Sequence, residues 1–461
     1  MDSTSKLVSI VWVAFGILGA SATQGQNLDS PKDAIVEEIR NDRPAFLVRA
    51  SVDHPDRVYR EGDTMQVTVR SEKAGYLYLV YCPASGKAHV LFPNKYQQNN
   101  RIPENRDVVV PADLASFRIR IAPPLGDEVL KAIVTLQPVK EIDIDTLTKS
   151  ALSTVDYKGF RNAVIEEFRP QPSQWAEHHV KIRTVPKQVA SAPPRPRRFG
   201  VFIGISDYQD RRISKLGICH IDAKYTSEAM QKNGKMDQVF LLLDSQATLK
   251  QIEDTIRRRL VNLTRPGDEV FIYWSGHGGR CADDNGDEKD GLDEFVVPYD
   301  ADITNLDTMR RTMLLDDTFG RWLQEMDGRK VVVILDTCHS AGQAALEKGL
   351  MGVDGLPNAT GPLDFFDGEF TRTKDIGQKE TAMLASSRAA QVSFVRREGD
   401  LSAMTYFLIE LMKTSERPVT LVDAFQYLEK NLPQYVQANF PGTTQTPVLV
   451  DATTPPVYLR P

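Results

Sequence analysis

The chain is poor in cysteine and in long hydrophobic runs and has no net positive charge, and each of these absences excludes a class of protein. Four cysteines are scattered over 461 residues, which excludes a disulfide framework or a paired-cysteine zinc site. Beyond the N-terminus no apolar run is long enough to cross a bilayer. Lys and Arg number 56 against 62 Asp and Glu, so the sequence offers no net positive charge for binding nucleic acid. Apolar residues make up 41% of the chain, which is typical of globular proteins. A length of 461 residues predicts two or three domains.

Residues 1–22 have the pattern of a secretory signal peptide. Lys6 precedes an apolar run from Leu7 to Ala20, and Ala20 and Ala22 supply the small residues of a signal-peptidase site. The alternative is a signal anchor that stays in the bilayer, but a span needs about 20 apolar residues and this run is shorter. The sequence therefore predicts a secreted or periplasmic protein that begins near Thr23 and has no stable membrane insertion after cleavage.

Short runs of alternating apolar and polar residues, separated by Gly, Pro and Asn, occupy residues 46–140. This period of two predicts a small all-β sandwich. It contains no nucleophile–base pair, metal spacing or phosphate loop, so we predict a structural or ligand-recognising role. Three segments, 61–63, 75–79 and 91–94, resemble a bacterial domain of unknown function, and this resemblance implies no activity.

A segment rich in proline and arginine separates this region from the rest of the chain. Pro193, Pro194 and Pro196 cannot continue a helix or a central strand, and they stand among several basic residues. We therefore predict that residues 141–198 form a connecting segment and an exposed linker.

The pattern changes after Phe199, where short apolar runs alternate with helical periodicity. Capping boxes that begin at Thr248 and at Thr420 predict two helix starts. Strands that are apolar throughout are typical of a mainly parallel sheet flanked by helices, with catalytic groups at the carboxyl ends of the strands. We therefore predict an α/β domain over 199–461. Its predicted strands are 201–204, 239–243, 269–274, 331–335, 382–385 and 447–450.

Two of these strands end in motifs that carry an imidazole and a thiol. The run 270–274 is followed by His277 among glycines, and the run 331–335 is followed by Cys338. A thiol beside a suitable imidazole becomes a strong nucleophile, and glycines leave backbone N–H groups free to bind an oxyanion. Either residue alone is more typical of a buried core position, but the pair at strand ends predicts a thiol hydrolase.

Both motifs resemble those of metacaspases, in the caspase-like peptidase family: YWSGHG at 273–278 and DTCHSAG at 336–342. The segments 201–205 and 219–223 are similar to the family's first strand and acidic motif, so the resemblance runs from Phe199 to the C-terminus. It implies the caspase-hemoglobinase fold, with Cys338 as nucleophile and His277 as its partner. The sequence names no third orienting residue. It also leaves open whether His277 acts as a base toward Cys338 or as an acid toward the leaving amine.

Carboxylates near these motifs bear on specificity. Asp336 lies two residues before Cys338, and Asp222 follows the first strand of the same sheet, so both can reach one pocket. The resemblance implies that these residues bind the Arg or Lys before the scissile bond, with Cys219 and Ser275 in the same wall. The alternative for Asp222 is a helix N-cap.

The acidic segment 283–294 is a candidate calcium-binding loop. It fails the EF-hand pattern because Glu288 stands where the turn needs Gly. The resemblance instead implies calcium at Asp293, Asp316 and Asp317, although the family's further aspartate is replaced by Ala345 with Glu347 nearby. The alternative is a solvated charged loop.

The sequence therefore predicts a secreted metacaspase-like cysteine endopeptidase that acts on protein or peptide substrates through an acyl-enzyme. Residues 344–379 contain four basic residues in a long segment rich in Gly, so we predict calcium-stimulated self-processing there. One alternative is the same fold without turnover, used as a peptide-binding scaffold, and another is a related acyl-transfer enzyme. The intact pair of Cys338 and His277 argues against the scaffold.

Overall fold

The structure, a computed structural model, describes residues 39–41, 44–112, 117–140, 157–187, 195–282, 292–337, 380–387, 391 and 393–461. Within these residues the N-terminal body is built from strands, one α-helix, α1 (Tyr157–Phe168), and a short 3-10 helix at Pro172–Gln174. The strands are β1 (Val48–Val52), β2 (Val58–Arg60), β3 (Thr64–Met65), β4 (Val67–Ser71), β5 (Gly75–Cys82), β6 (His89–Phe92), β7 (Arg101–Ile102), β8 (Val108–Val110), β9 (Ile119–Arg120), β10 (Asp127–Thr135) and β11 (Trp175–Val185).

Two sheets form the core of this body. One has the order β1-β4-β8, and the other has the order β2-β11-β10-β5-β6, with β7 paired to β5. Leu77 and Leu79 of β5 pack toward the first sheet. The alternate residues Tyr78 and Val80 pack on the other face, with Phe160 of α1. The large sheet is therefore covered on both faces, which explains why β5 is buried at consecutive positions.

The predicted connecting segment needs a correction. Residues 157–168 form α1, and residues 175–185 form β11, which pairs with the whole length of β10 from Thr135↔Trp175 to Asp127↔Arg183. The physical reason is that β10 is buried along nearly its whole length and needs a hydrogen-bonding neighbour on each side. Burial alternates along β11, but polar His178 and Thr184 occupy two of the buried positions, so the period of two was hidden in the sequence.

The C-terminal domain alternates strands and helices. Its strands are β12 (Arg198–Gly204), β13 (Gln238–Leu243), β14 (Glu269–Gly276), β15 (Gly278–Ala282), β16 (Leu292–Val296), β17 (Leu314–Leu315), β18 (Lys330–Thr337), β19 (Thr381–Ala385), β20 (Val419–Thr420), β21 (Val448–Asp451) and β22 (Tyr458–Arg460). Its α-helices are α2 (Cys219–Lys232), α3 (Leu249–Glu253), α4 (Val261–Leu263), α5 (Leu306–Thr312), α6 (Asp316–Gln324), α7 (Ala403–Thr414) and α8 (Leu421–Asn439), with a π-helical stretch at Asp254–Leu260.

A six-stranded sheet with the order β13-β12-β14-β18-β19-β21 organises this domain. Its first five strands are parallel and β21 is antiparallel. Helices α2, α7 and α8 cover one face, while α3, α5, α6 and the π-helical stretch cover the other. The predicted α/β caspase-like fold after an all-β region is therefore confirmed. From β12 the chain crosses to β13 on one side of that strand, and then to β14 on its other side. The direction of strand order therefore reverses between β12 and β14, and a crevice opens at the carboxyl ends of these two strands.

The helix starts follow local side-chain chemistry. Thr248 accepts a hydrogen bond from the Gln251 N–H, and Thr420 with Asp423 forms a complete capping box, as predicted. Asp222 is not an N-cap, because Ile218 holds that position at α2 and Asp222 lies in the first helical turn. No helix in the described part of the chain is both long and apolar enough to span a membrane.

The two bodies are joined through a buried carboxylate. Asp327, in the turn between α6 and β18, accepts hydrogen bonds from Arg49 (Nη2–Oδ1, 3.0 Å) and from Arg57. Burial alone raises the pKa of Asp327, but the attraction of Arg57 and Arg49 outweighs it and leaves the pKa below its ordinary value. The carboxylate is therefore ionised at neutral pH and pairs the C-terminal domain with two cations of the N-terminal body.

Candidate active site

His277 stands directly after β14, at the crevice between β12 and β14. The preceding Gly276 has no room for a side chain, because a Cβ there would lie 3.0 Å from Trp274 Nε1 and 3.3 Å from Tyr208 Oη. The glycine thus lets the loop after β12 approach the strand end closely. The His277 backbone N–H donates to Tyr208 Oη at 2.9 Å, and the two rings lie 5.3 Å apart between centroids.

The imidazole of His277 is held in one tautomer. Its Nε2 lies 2.8 Å from the carbonyl oxygen of Ser214, which can only accept, so Nε2 carries the proton and Nδ1 keeps its lone pair. Burial lowers the pKa of His277 to about 4, and the hydrogen bond with Ser214 opposes this shift. The ring is 2% exposed and is neutral at pH 7. A neutral, oriented imidazole can accept a proton at Nδ1.

The Ser214 carbonyl is the orienting group that the sequence did not name. It lies 63 residues before His277, in the loop after β12. A backbone carbonyl is present at every residue, so no residue type signals this role.

Cys338 itself lies outside the described residues. The residue before it, Thr337, pairs with Gly276, which is the residue before His277. The neighbouring strands β14 and β18 therefore bring Gly276 and Thr337, the residues that precede His277 and Cys338, to the same level of one sheet edge.

Asp222 and Asp336 are both completely buried, beside this edge. Asp222 accepts hydrogen bonds from the Ser275 hydroxyl at 3.2 Å and from the Ser402 N–H at 2.9 Å. The Ser402 hydroxyl donates to Asp336, so one residue bridges the two carboxylates. The structure thus brings together three of the residues predicted to bind substrate. The fourth, Cys219, is buried at the first position of α2, one turn before Asp222.

Two further hydroxyls hold Asp336. Ser393 donates to it at 2.8 Å, and Thr405 donates at 2.7 Å. Sequence reasoning missed both, together with Ser402. Ser402 caps helix α7 and accepts from the Thr405 N–H, so a local capping signal was present, but nothing local linked it to Asp336.

Burial raises the pKa of both carboxyl groups. For Asp222, burial and repulsion by Asp336 raise the pKa well above its ordinary value, against the hydrogen bonds from Ser402 and Ser275. For Asp336, burial raises the pKa against the hydroxyl donors around it. Two buried carboxylates that repel each other make a site that a cation would stabilise.

The residues predicted to bind calcium lie elsewhere. Asp293 is in β16, while Asp316 and Asp317 begin α6, and Asp316 Oδ1 accepts from the Asp317 N–H at 3.0 Å. Asp293 and Asp317 line a common cavity, but arginines line it too. In the described part of the chain no group of three or more His, Cys, Asp or Glu could hold a metal ion. The other residues of the predicted calcium site, within 283–291 and at Ala345 and Glu347, lie outside the described residues, so calcium binding stays a prediction.

Two regions of the chain match models of known protein families. Residues 198–347 match the metacaspase, peptidase C14 domain, and residues 58–138 match a domain of unknown function, DUF4384. Metacaspase-1 of Sclerotinia sclerotiorum is 33% identical over 153 residues, which cover 31% of this chain and 33% of that protein. Metacaspase-1 of Botryotinia fuckeliana is 32% identical over the same length, covering 31% and 34%. The chain thus matches about a third of the length of these relatives.

Two solved structures are also similar. Protein GSU0716 from Geobacter sulfurreducens has a TM-score of 0.40 and 20% identity, over 56% of this chain and 95% of that one. Caspase-1 from Spodoptera frugiperda has a TM-score of 0.36 and 11% identity, over 59% and 92%. The family matches confirm the resemblance inferred from the sequence motifs: residues 198–347 are similar to the metacaspase peptidase C14 domain, and residues 58–138 are similar to DUF4384.

Proposed function

We propose that this protein is a cysteine endopeptidase that cleaves peptide bonds after Arg or Lys. The observation that carries the proposal is the neutral imidazole of His277, fixed by the Ser214 carbonyl at the sheet edge from which β18 leads to Cys338. The peptidase family of residues 198–347 supports the same chemistry.

The proposed reaction uses the free nitrogen of His277. Nδ1 accepts the thiol proton of Cys338, and the sulfur attacks the carbonyl carbon of the scissile bond. When the C–N bond breaks, the leaving amine takes that proton from His277 and an acyl-enzyme remains. A water molecule then transfers a proton to His277 and attacks the acyl carbon. The C–S bond breaks, and the proton returns to the sulfur.

The buried carboxylates support a basic side chain before the scissile bond. A guanidinium or ammonium group would pair with Asp222 and Asp336 and relieve their mutual repulsion. An acidic side chain would add a third carboxylate to the same place. The proposal therefore includes discrimination against substrates with Asp at this position.

The N-terminal pattern supports export as part of the proposal. Residues 1–22 carry the predicted signal and lie outside the described residues. Expression in a secreting host, followed by mass spectrometry of the exported protein, tests this point. A mature N-terminus near Thr23 is the expected result, and retention of residues 1–22 would contradict it.

Calcium stimulation and self-processing within 344–379 stay predictions of the sequence. The segment lies outside the described residues. No step of the proposed reaction uses calcium.

Hydrolysis of fluorogenic peptides that end in Arg, Lys, citrulline or Asp tests the proposed function. We expect the purified chain to cleave the Arg and Lys peptides, to cleave the uncharged citrulline peptide much more slowly, and to lose activity on Cys338→Ala substitution. Preference for Asp would contradict the proposed specificity. Binding of Arg peptides without hydrolysis would instead favour the scaffold alternative.

A further inference from the structure

A cavity of about 620 Å³ lies where the N-terminal body meets the C-terminal domain. Arg40, Arg169 and Trp175 line it from the N-terminal side. Residues of α3, α5 and α6 line it from the other side. Its volume is within the range of about 300–1,000 Å³ that is typical of small-molecule sites, and it is far larger than one metal ion requires.

Guanidinium groups dominate the lining of this cavity. Among the lining residues that the structure describes, five arginines stand against three carboxylates, so this part of the lining has a formal excess of two positive charges. Arginine stays protonated at all physiological pH values, and its planar fork matches the oxygen spacing of phosphate and carboxylate groups. The arginines are Arg40, Arg169, Arg310, Arg311 and Arg321, and the acidic residues are Glu253, Asp293 and Asp317.

Hydrogen-bond donors without acceptors add a second observation. Trp175 and Trp322 both line the cavity, and each is 2% exposed. Their indole N–H groups are buried and have no hydrogen-bond partner in the described part of the protein. An indole nitrogen can only donate, so both groups favour an acceptor-rich ligand.

We propose that this cavity binds a small multivalent oxyanion, that is, a phosphorylated or polycarboxylated molecule. The charge excess and the donor-rich lining both favour an anion over a cation. Because the arginines come from both bodies, a ligand bound here would contact the N-terminal body and the C-terminal domain together and stabilise their association. The proposal is independent of the peptidase activity.

Isothermal titration calorimetry on the full chain tests the proposal, with tripolyphosphate, citrate and calcium chloride as separate probes at constant ionic strength. We expect saturable binding of about one oxyanion per chain and a raised melting temperature. Tripolyphosphate and citrate distinguish a phosphate ligand from a carboxylate ligand.

Arg169→Gln and Arg311→Gln are the test variants, because both arginines are exposed and their loss should leave the fold intact. Arg259→Gln, an exposed arginine outside the cavity, is the matched control. Each test variant should raise the Kd roughly tenfold, as expected for a lost charge-assisted hydrogen bond, and the control should not.

Three results would overturn the proposal. The first is that neither oxyanion binds. The second is that binding is equal in the test variants and the control. The third is that only calcium binds, in a manner lost on Asp317→Asn substitution, which would support the calcium prediction instead.

Discussion

Asp327→Ala should weaken the junction between the two bodies more than any loss of an exposed ion pair. The Asp327 side chain is 8% exposed, and its partners Arg57 and Arg49 are 8% and 14% exposed. The substitution leaves two cations of the N-terminal body without their carboxylate, in a place where water cannot replace it. Removing one partner of a buried pair costs about 3–5 kcal/mol, which is a large share of a typical stability of about 5–15 kcal/mol.

Urea unfolding monitored by tryptophan fluorescence and circular dichroism measures this loss. We expect Asp327→Ala to shift the midpoint to lower urea and to separate the unfolding of the two bodies into two transitions. Arg258→Ala removes the exposed pair with Asp254 at 3.2 Å and is the control, with an expected change of less than about 1 kcal/mol.

A charge-free replacement sharpens the test. Asp327→Leu combined with Arg57→Met removes the carboxylate and the more deeply buried of its two cations, and leaves Arg49 as the one unpaired charge of the three. It should recover part of the lost stability, because an apolar pair needs no counter-charge. Single-transition unfolding of Asp327→Ala at the parent midpoint would refute the reasoning.

The same carboxylate gives a pH dependence. The folded pKa of Asp327 is lower than the unfolded value of about 3.9, so its stabilisation is fully present above that value. It is lost as the pH falls through the folded pKa. The acid-induced loss of stability should therefore be smaller in Asp327→Ala than in the parent.

The remaining predictions concern the active site. Cys338→Ala should abolish peptide hydrolysis, and His277→Ala should lower kcat/KM by orders of magnitude. The control, His220→Ala, should lower kcat/KM much less. Full activity of Cys338→Ala would contradict the mechanism. Asp336→Asn should lower kcat/KM for Arg peptides by tens to thousands of fold, because loss of one partner of a buried charge pair costs roughly 2–5 kcal/mol of binding free energy. It should not raise kcat/KM for Asp peptides. Because burial raises the pKa of Asp336, the Arg-to-citrulline ratio of kcat/KM should rise with pH above the ordinary carboxyl range, and a flat ratio would refute this. Intact-mass analysis should find cuts within 344–379 in the parent protein and none in Cys338→Ala. Calcium should increase the rate of these cuts. Cuts elsewhere would contradict the prediction of self-processing within this segment.

Local patterns determined much of the fold. Apolar runs at 201–204, 269–274 and 331–335 lie within β12, β14 and β18, because a strand buried on both faces needs apolar residues at every position. The motifs that follow two of these strands predicted His277 and Cys338 at one edge, since neighbouring parallel strands end on the same side of a sheet. In the structure the residues before them, Gly276 and Thr337, are paired.

The tertiary structure alone decided how the site is held. The Ser214 carbonyl reaches His277 from 63 residues away, and Ser402 reaches Asp222 from 180 residues away. Contacts of this kind depend on the path of the chain, and a carbonyl or a serine carries no sign of its distant partner. For the same reason the pairing of β11 with β10 emerged only in the folded N-terminal body. The arginines around the interdomain cavity and the contact of Arg57 with Asp327 emerged only where the two bodies pack against each other.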